Sequence, residues 1–137
     1  MEMKTIEVEV YWSRKNFCCG WSCPDFGAII ATDKTLEGVK LAFESSLASQ
    51  IAEMVKAGES VPVWLAEGHY QIKYTEQVSA LLRNAERYTT MAALSRATGI
   101  NQKLLNNYAS SVKVPREAQR QRIIDGIHQI GRAMLSL

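Results

Sequence analysis

Long apolar stretches are missing from this 137-residue chain, whose apolar runs end at four residues, as in Ala28 to Ala31. A bilayer-spanning helix needs about 20 such residues, so no membrane span is expected. The chain opens on Glu2 and alternating charges instead of a basic region followed by an apolar one, which predicts a cytoplasmic protein. Cysteine is scarce too: Cys18, Cys19 and Cys23 crowd into one segment, and an odd number without an export signal argues against a disulfide framework. The eight glycines are scattered, and none follows a strand in the pattern of a phosphate-cradling loop.

These scarcities also narrow the chemistry. A zinc site assembled from Cys18, Cys19 and Cys23 with His69 or His128 would lack a second ligand pair at the usual spacing, and adjacent cysteines on a strand point to opposite faces. Buried cysteine is common, so Cys19 and Cys23 beside Trp21 read as core. A nuclease would need several carboxylates converging on metal ions, whereas Asp25 and Asp33 flank one strand as turn-forming residues. The expectation is a protein without enzymatic activity, metal or cofactor.

Charge is plentiful but unevenly placed. The net charge of +2 hides 7 Lys+Arg against 11 Asp+Glu in residues 1–77, and 9 against 3 in residues 78–137. A basic C-terminal half suits a phosphate backbone, with Arg83, Arg87, Arg96, Lys113 and Arg116 as candidate contacts. The acidic N-terminal half reads as a separate module, either suited to a basic partner or simply solvated.

Hydrophobic periodicity predicts an α+β protein: a small antiparallel sheet with one long helix over residues 1–74, then an all-α domain over 75–137. Ile6, Val8, Val10 and Trp12 alternate with polar residues, and after a turn at Ser13 to Asn16 the alternation resumes at Phe17, Cys19, Trp21 and Cys23. Gly27 to Thr32 reads as a third strand. From Leu36 the period becomes helical, with Leu36, Val39, Phe43, Leu47, Ile51, Met54 and Val55 on one face and Thr35 as the cap. Gly38 lies in that helix, where glycine costs about 1 kcal/mol relative to alanine. Val61 to Val63 is expected to be extended, and Tyr70 to Tyr74 forms a fourth strand. Helices then follow over residues 76–87, 90–98, 102–110 and onward from Pro115, the last with a stripe of Ile123, Ile127, Ile130 and Met134 that suits either a core or a dimer seam.

The stretch from Met91 to Tyr108 has the spacing of a DNA-reading helix-turn-helix. Gly99 supplies the positive φ of the turn, and Asn101 caps the second helix. Leu94, Leu105 and Tyr108 form the core of the pair, with the small Ser95 at the closest approach. This leaves Gln102, Lys103, Asn106 and Asn107 facing outward, and amides and a lysine suit base edges and phosphates. Candidate DNA contacts are therefore Thr90, Arg96, Asn101, Gln102, Lys103, Asn106, Asn107 and Lys113.

Taken whole, the chain resembles the HicB antitoxins of bacterial type II toxin-antitoxin systems, in the subgroup with a C-terminal helix-turn-helix. The resemblance rests on the order strand, strand, strand, helix, strand; on Cys23-Pro24-Asp25-Phe26; on Thr32-Asp33-Lys34-Thr35-Leu36-Glu37 leading into the long helix; and on Gly58 to Pro62 leaving it. It implies a partial RNase H-like N-terminal domain without catalytic carboxylates, which occludes a small basic, mRNA-cleaving HicA-like toxin. It further implies a C-terminal domain that binds double-stranded DNA and represses the operon. Paired half-sites would call for a homodimer or higher homo-oligomer. The alternative is a stand-alone regulator whose N-terminal domain oligomerises or senses a ligand.

Overall fold

In a computed structural model describing residues 2–137, the chain divides into two compact units. One holds the chain up to Val10 and Lys15–Glu76; the other holds Tyr11–Arg14 and Gln77–Leu137.

The first unit is a helix-backed sheet. Strand β1 (Lys4–Ser13) buries Ile6, Val8 and Val10 and exposes Thr5, Glu7 and Glu9, the two-residue alternation of a strand with one wet face. A two-residue turn, with Arg14 at a φ of 59°, leads to β2 (Asn16–Cys23). Pro24 to Phe26 then turns the chain into β3 (Gly27–Asp33), antiparallel to β2 from Phe17↔Asp33 to Cys23↔Gly27. Helix α1 (Leu36–Lys56) covers this layer with Val39, Phe43 and Leu47, all fully buried.

The strand order is β3-β2-β1-β4, and β4 (Tyr70–Glu76) runs parallel to β1, from Lys4↔Tyr70 to Val10↔Glu76. The sheet is therefore mixed, which corrects the antiparallel expectation. The reason lies in the connection: at about 1.5 Å per residue, α1 carries the chain some 30 Å back towards the start of β3. The next strand must then repeat the direction of β3, and hence of β1, as crossover connections require.

Glycine at position 38 is also not the plain cost that helix propensity implies. Thr35 Oγ1 accepts from the Gly38 N–H at 2.9 Å, while Asp33 Oδ2 accepts from the Thr35 N–H and hydroxyl at 3.0 and 3.1 Å. A Cβ on residue 38 would collide with that carboxylate, so the double cap requires glycine there. Val55, expected on the buried stripe, is 52% exposed. Of the stretch expected to be extended, Val63 instead opens a single helical turn, α2 (Val63–Ala66), after Pro62. It buries Leu65 and stands Trp64 edge-on between Trp21 and Tyr70, with ring centroids 6.3 Å from each.

The second unit gathers α3 (Val78–Ala85), α4 (Met91–Thr98), α5 (Gln102–Ala109) and α6 (Glu117–Leu135). Its core comprises Leu82, Leu94, Leu105 and Ile123, all fully buried, with Ile100 and Tyr108 packed beside them. The hairpin tip belongs to this unit: the Trp12 N–H donates to Ser79 Oγ at 2.9 Å, and the Arg83 guanidinium lies 5.4 Å from the Trp12 ring centroid. Among the described residues, no helix is long and apolar enough to cross a membrane.

Candidate nucleic-acid interface

The two short helices α4 and α5 are built from their ends inward. Thr90 Oγ1 accepts from the Ala93 N–H at 3.1 Å and starts α4. Gly99 ends it with a φ of 71°, its N–H bonded to Ser95 O at 2.9 Å, the left-handed exit that glycine adopts without a Cβ penalty. Two residues later, Asn101 Oδ1 accepts from the Lys103 N–H at 2.7 Å and opens α5.

The turn between them is locked by hydroxyls. Ser95 Oγ donates to Ile100 O at 2.6 Å, and the buried Thr98 donates to Leu94 O at 2.7 Å while accepting from the Ile100 N–H at 3.1 Å. Ile100 is thereby fixed in the core at 3% exposure. Ser95 thus holds the turn through its hydroxyl, while α4 also packs closely on α6, where a Cβ on the buried Gly126 would collide with the Thr98 methyl.

Of the eight candidate contacts, Gln102, Lys103 and Asn106 lie exposed on α5, with Gln102 and Asn106 one helical turn apart on the same face. Arg96 is exposed on α4, and Lys113 is exposed in the loop after α5. Thr90 and Asn101 are exposed but spend a side-chain oxygen on their caps. Asn107 is half-buried, and its carbonyl accepts from the N–H groups of Val112 and Lys113 at 2.9 and 3.3 Å. Among the described residues, Arg96, Lys103 and Lys113 enter no ion pair, which leaves their charge for an outside anion.

The wider set of candidate phosphate contacts divides. Arg83 is committed internally: it donates to Ala109 O at 3.1 Å and Ser110 Oγ at 3.0 Å, and pairs with Glu86 at 3.0 Å, closing the C-terminal end of α5. Arg87 lies over the Tyr88 ring, 5.6 Å from its centroid. Arg116 stays exposed at the start of α6. Sequence reasoning missed Arg122, which donates to Thr98 O at 3.0 Å and Gln119 Oε1 at 2.9 Å, tying the end of α4 to α6. The one available signal was Gly126, an interior helix glycine of the kind that marks close packing.

The stripe on α6 grades outward, with Ile123 buried, Ile127 and Ile130 half-buried and Met134 58% exposed. Its outer part lines an apolar cleft of about 300 Å³ with Ala85, Tyr88 and Leu94.

No family model matches this chain, and no curated protein matches it significantly.

Proposed function

We propose that this protein is a DNA-binding repressor that acts as an antitoxin of the HicB kind. The observation that carries the reading is the α4–Gly99–α5 pair, whose second helix presents Gln102, Lys103 and Asn106 to solvent with the lysine unpaired. In this reading the pair is a helix-turn-helix. Helix α5 enters the major groove, where Gln102 or Asn106 pairs with an adenine edge, while Lys103, Arg96, Lys113 and Arg116 meet phosphates. The scarcity of carboxylates in residues 78–137 supports it, since Glu86, Glu117 and Asp125 are the only three there and Glu86 is neutralised by Arg83.

In the same reading, the helix-backed sheet of the first unit is a partial RNase H-like domain that occludes a small basic toxin. An acidic lobe speeds encounter with such a partner and is repelled by DNA.

The test has two arms. Selection from a random duplex library, followed by anisotropy titration, should yield a defined site, and Gln102→Ala or Asn106→Ala should relax one base position at a cost of about 1 to 3 kcal/mol. Equal affinity for selected and random DNA would remove sequence reading from α5. Purification from the native host at low salt, with intact mass spectrometry, should recover a small basic protein in stoichiometric amount. A clean homo-oligomer carrying a discrete promoter fragment and no partner would instead assign a stand-alone regulator.

A further inference from the structure

The free edge of β3 carries none of the devices that protect sheet edges. Over Gly27–Asp33 it has no lysine, no proline and no charge before its last residue, and Ile30 at its midpoint is 74% exposed. Strand β4, at the opposite edge, carries Lys73 and Glu76. An edge with no charge over its first six residues is a template for another strand, and natural proteins ordinarily guard such edges.

We infer that β3 pairs antiparallel with β3 of a second copy of this chain, about a two-fold axis at Ile30, joining two four-stranded sheets into one of eight strands. The register follows from keeping each side chain on its own face. Ile30 meets Ile30 of the second copy, Ala28 meets Thr32, and Ile29 meets Ala31. The single charge, Asp33, falls opposite Gly27, which has no side chain, so no like charges face one another. An isologous contact needs such a self-complementary strand.

Helix α1 supplies a second, independent fit. It lies over β3 and β2, turning Lys40 and Glu44 towards β4, where they meet Glu76 and Tyr74 at 2.8 and 2.7 Å. At 100° per residue, the flank towards the free edge is then Ala42, Ser46 and Ser49, all small, with the exposed Glu53 following only two turns beyond Ser46. Strands about 4.8 Å apart would bring the two α1 helices to roughly 10 Å across the axis, the ordinary helix-packing distance, and small residues permit it. Because α1 starts after Asp33 and has Gln50 beside Gly27, Ala42 and Ser46 lie level with Ile30, where the helices would meet.

This inference concerns the first unit alone and is independent of the DNA reading. Its test is the mass of the full chain by light scattering over a concentration series, with Ile30→Lys set against the neutral, β-branched Ile30→Thr. The wild-type protein and Ile30→Thr should self-associate. Ile30→Lys places like charges face to face on a position that is solvated in the single copy, so it should halve the mass and weaken association by about tenfold or more. Ser46→Arg, at an exposed position of α1, repeats the test from the helix without touching the sheet and decides the matter if the lysine variant fails to fold. Hydrogen exchange at β3 amides should be slow in the wild type and accelerate in both charged variants. A monomeric wild-type chain, or a mass that either folded charged variant leaves unchanged, would overturn the inference.

Discussion

Gly126 of α6 packs directly on Thr98 of α4, leaving no room for a Cβ between the glycine and the threonine methyl. The same threonine ties Leu94 to Ile100 through its hydroxyl, so the contact that joins α4 to α6 also sets the turn into α5. Any side chain at 126 therefore disturbs the helix that presents Gln102 and Lys103.

Gly126→Ala should destabilise the protein by about 2 kcal/mol despite the better helix propensity of alanine, as overpacking does. Thr98→Ser removes the offending methyl and keeps the hydroxyl, so the double variant should recover part of the loss. Denaturant midpoints of the four-protein cycle measure this coupling, and additive losses would refute the contact.

The Asp33 cap makes a prediction that depends on the background. In the wild-type protein Gly38→Ala should destabilise, because the new methyl crowds both the Asp33 carboxylate and the Thr35 hydroxyl. In an Asp33→Ala background the loss should shrink, since only the Thr35 hydroxyl, 2.7 Å from the added Cβ, still has to shift. Thermal melts that show the same loss in both backgrounds would dismiss the steric account.

Lys103 is exposed and unpaired, and in the proposed complex it touches phosphate. Lys103→Met should reduce the slope of log affinity against log salt by about one unit, uniformly across DNA sequences. Arg83→Met should act differently: its guanidinium holds the end of α5, so the variant should lower the melting temperature as well as DNA affinity. An unchanged salt slope for Lys103→Met would take that residue off the backbone.

Burial, with a smaller contribution from Cys18, pushes the Cys19 thiol up to about 11. A folded-state value above the unfolded one means that the stability this thiol contributes is fully present below about pH 9 and is lost as pH rises towards 11. Denaturant unfolding between pH 8 and 10.5 should show the fall, and Cys19→Val should flatten the part due to this thiol. At neutral pH a thiol reagent should modify the half-buried Cys18 and Cys23 in the native protein and reach Cys19 only after unfolding.

Much of the local structure was legible in the chain. Strand alternation at Ile6, Val8 and Val10, the Thr35 and Asn101 caps, and the Gly99 turn each depend on residues a few positions apart, and all form as read. Elements whose formation rests on distant partners were less legible. Val63–Ala66 folds as a helical turn because Leu65 and Trp64 find a core and aromatic neighbours there, and no pattern in those four residues announces it. Arg83 looked like a phosphate ligand because its charge is visible in sequence, whereas the carbonyl of Ala109 that claims it is 26 residues away.

By itself, then, the sequence determined the identity and order of the main strands and helices, the acidic and basic halves, and three of the four residues expected to face outward on α5, Asn107 being half-buried. Those depend on periodicity, caps and composition, which are local properties of the chain. Tertiary structure alone decided the parallel pairing of β4 with β1, the need for glycine at 38 and 126, and the commitment of Arg83 and Arg122 to carbonyls. Each of these turns on which surfaces meet across large sequence separations, where a clash or an unpaired carbonyl arises only once the packing is fixed.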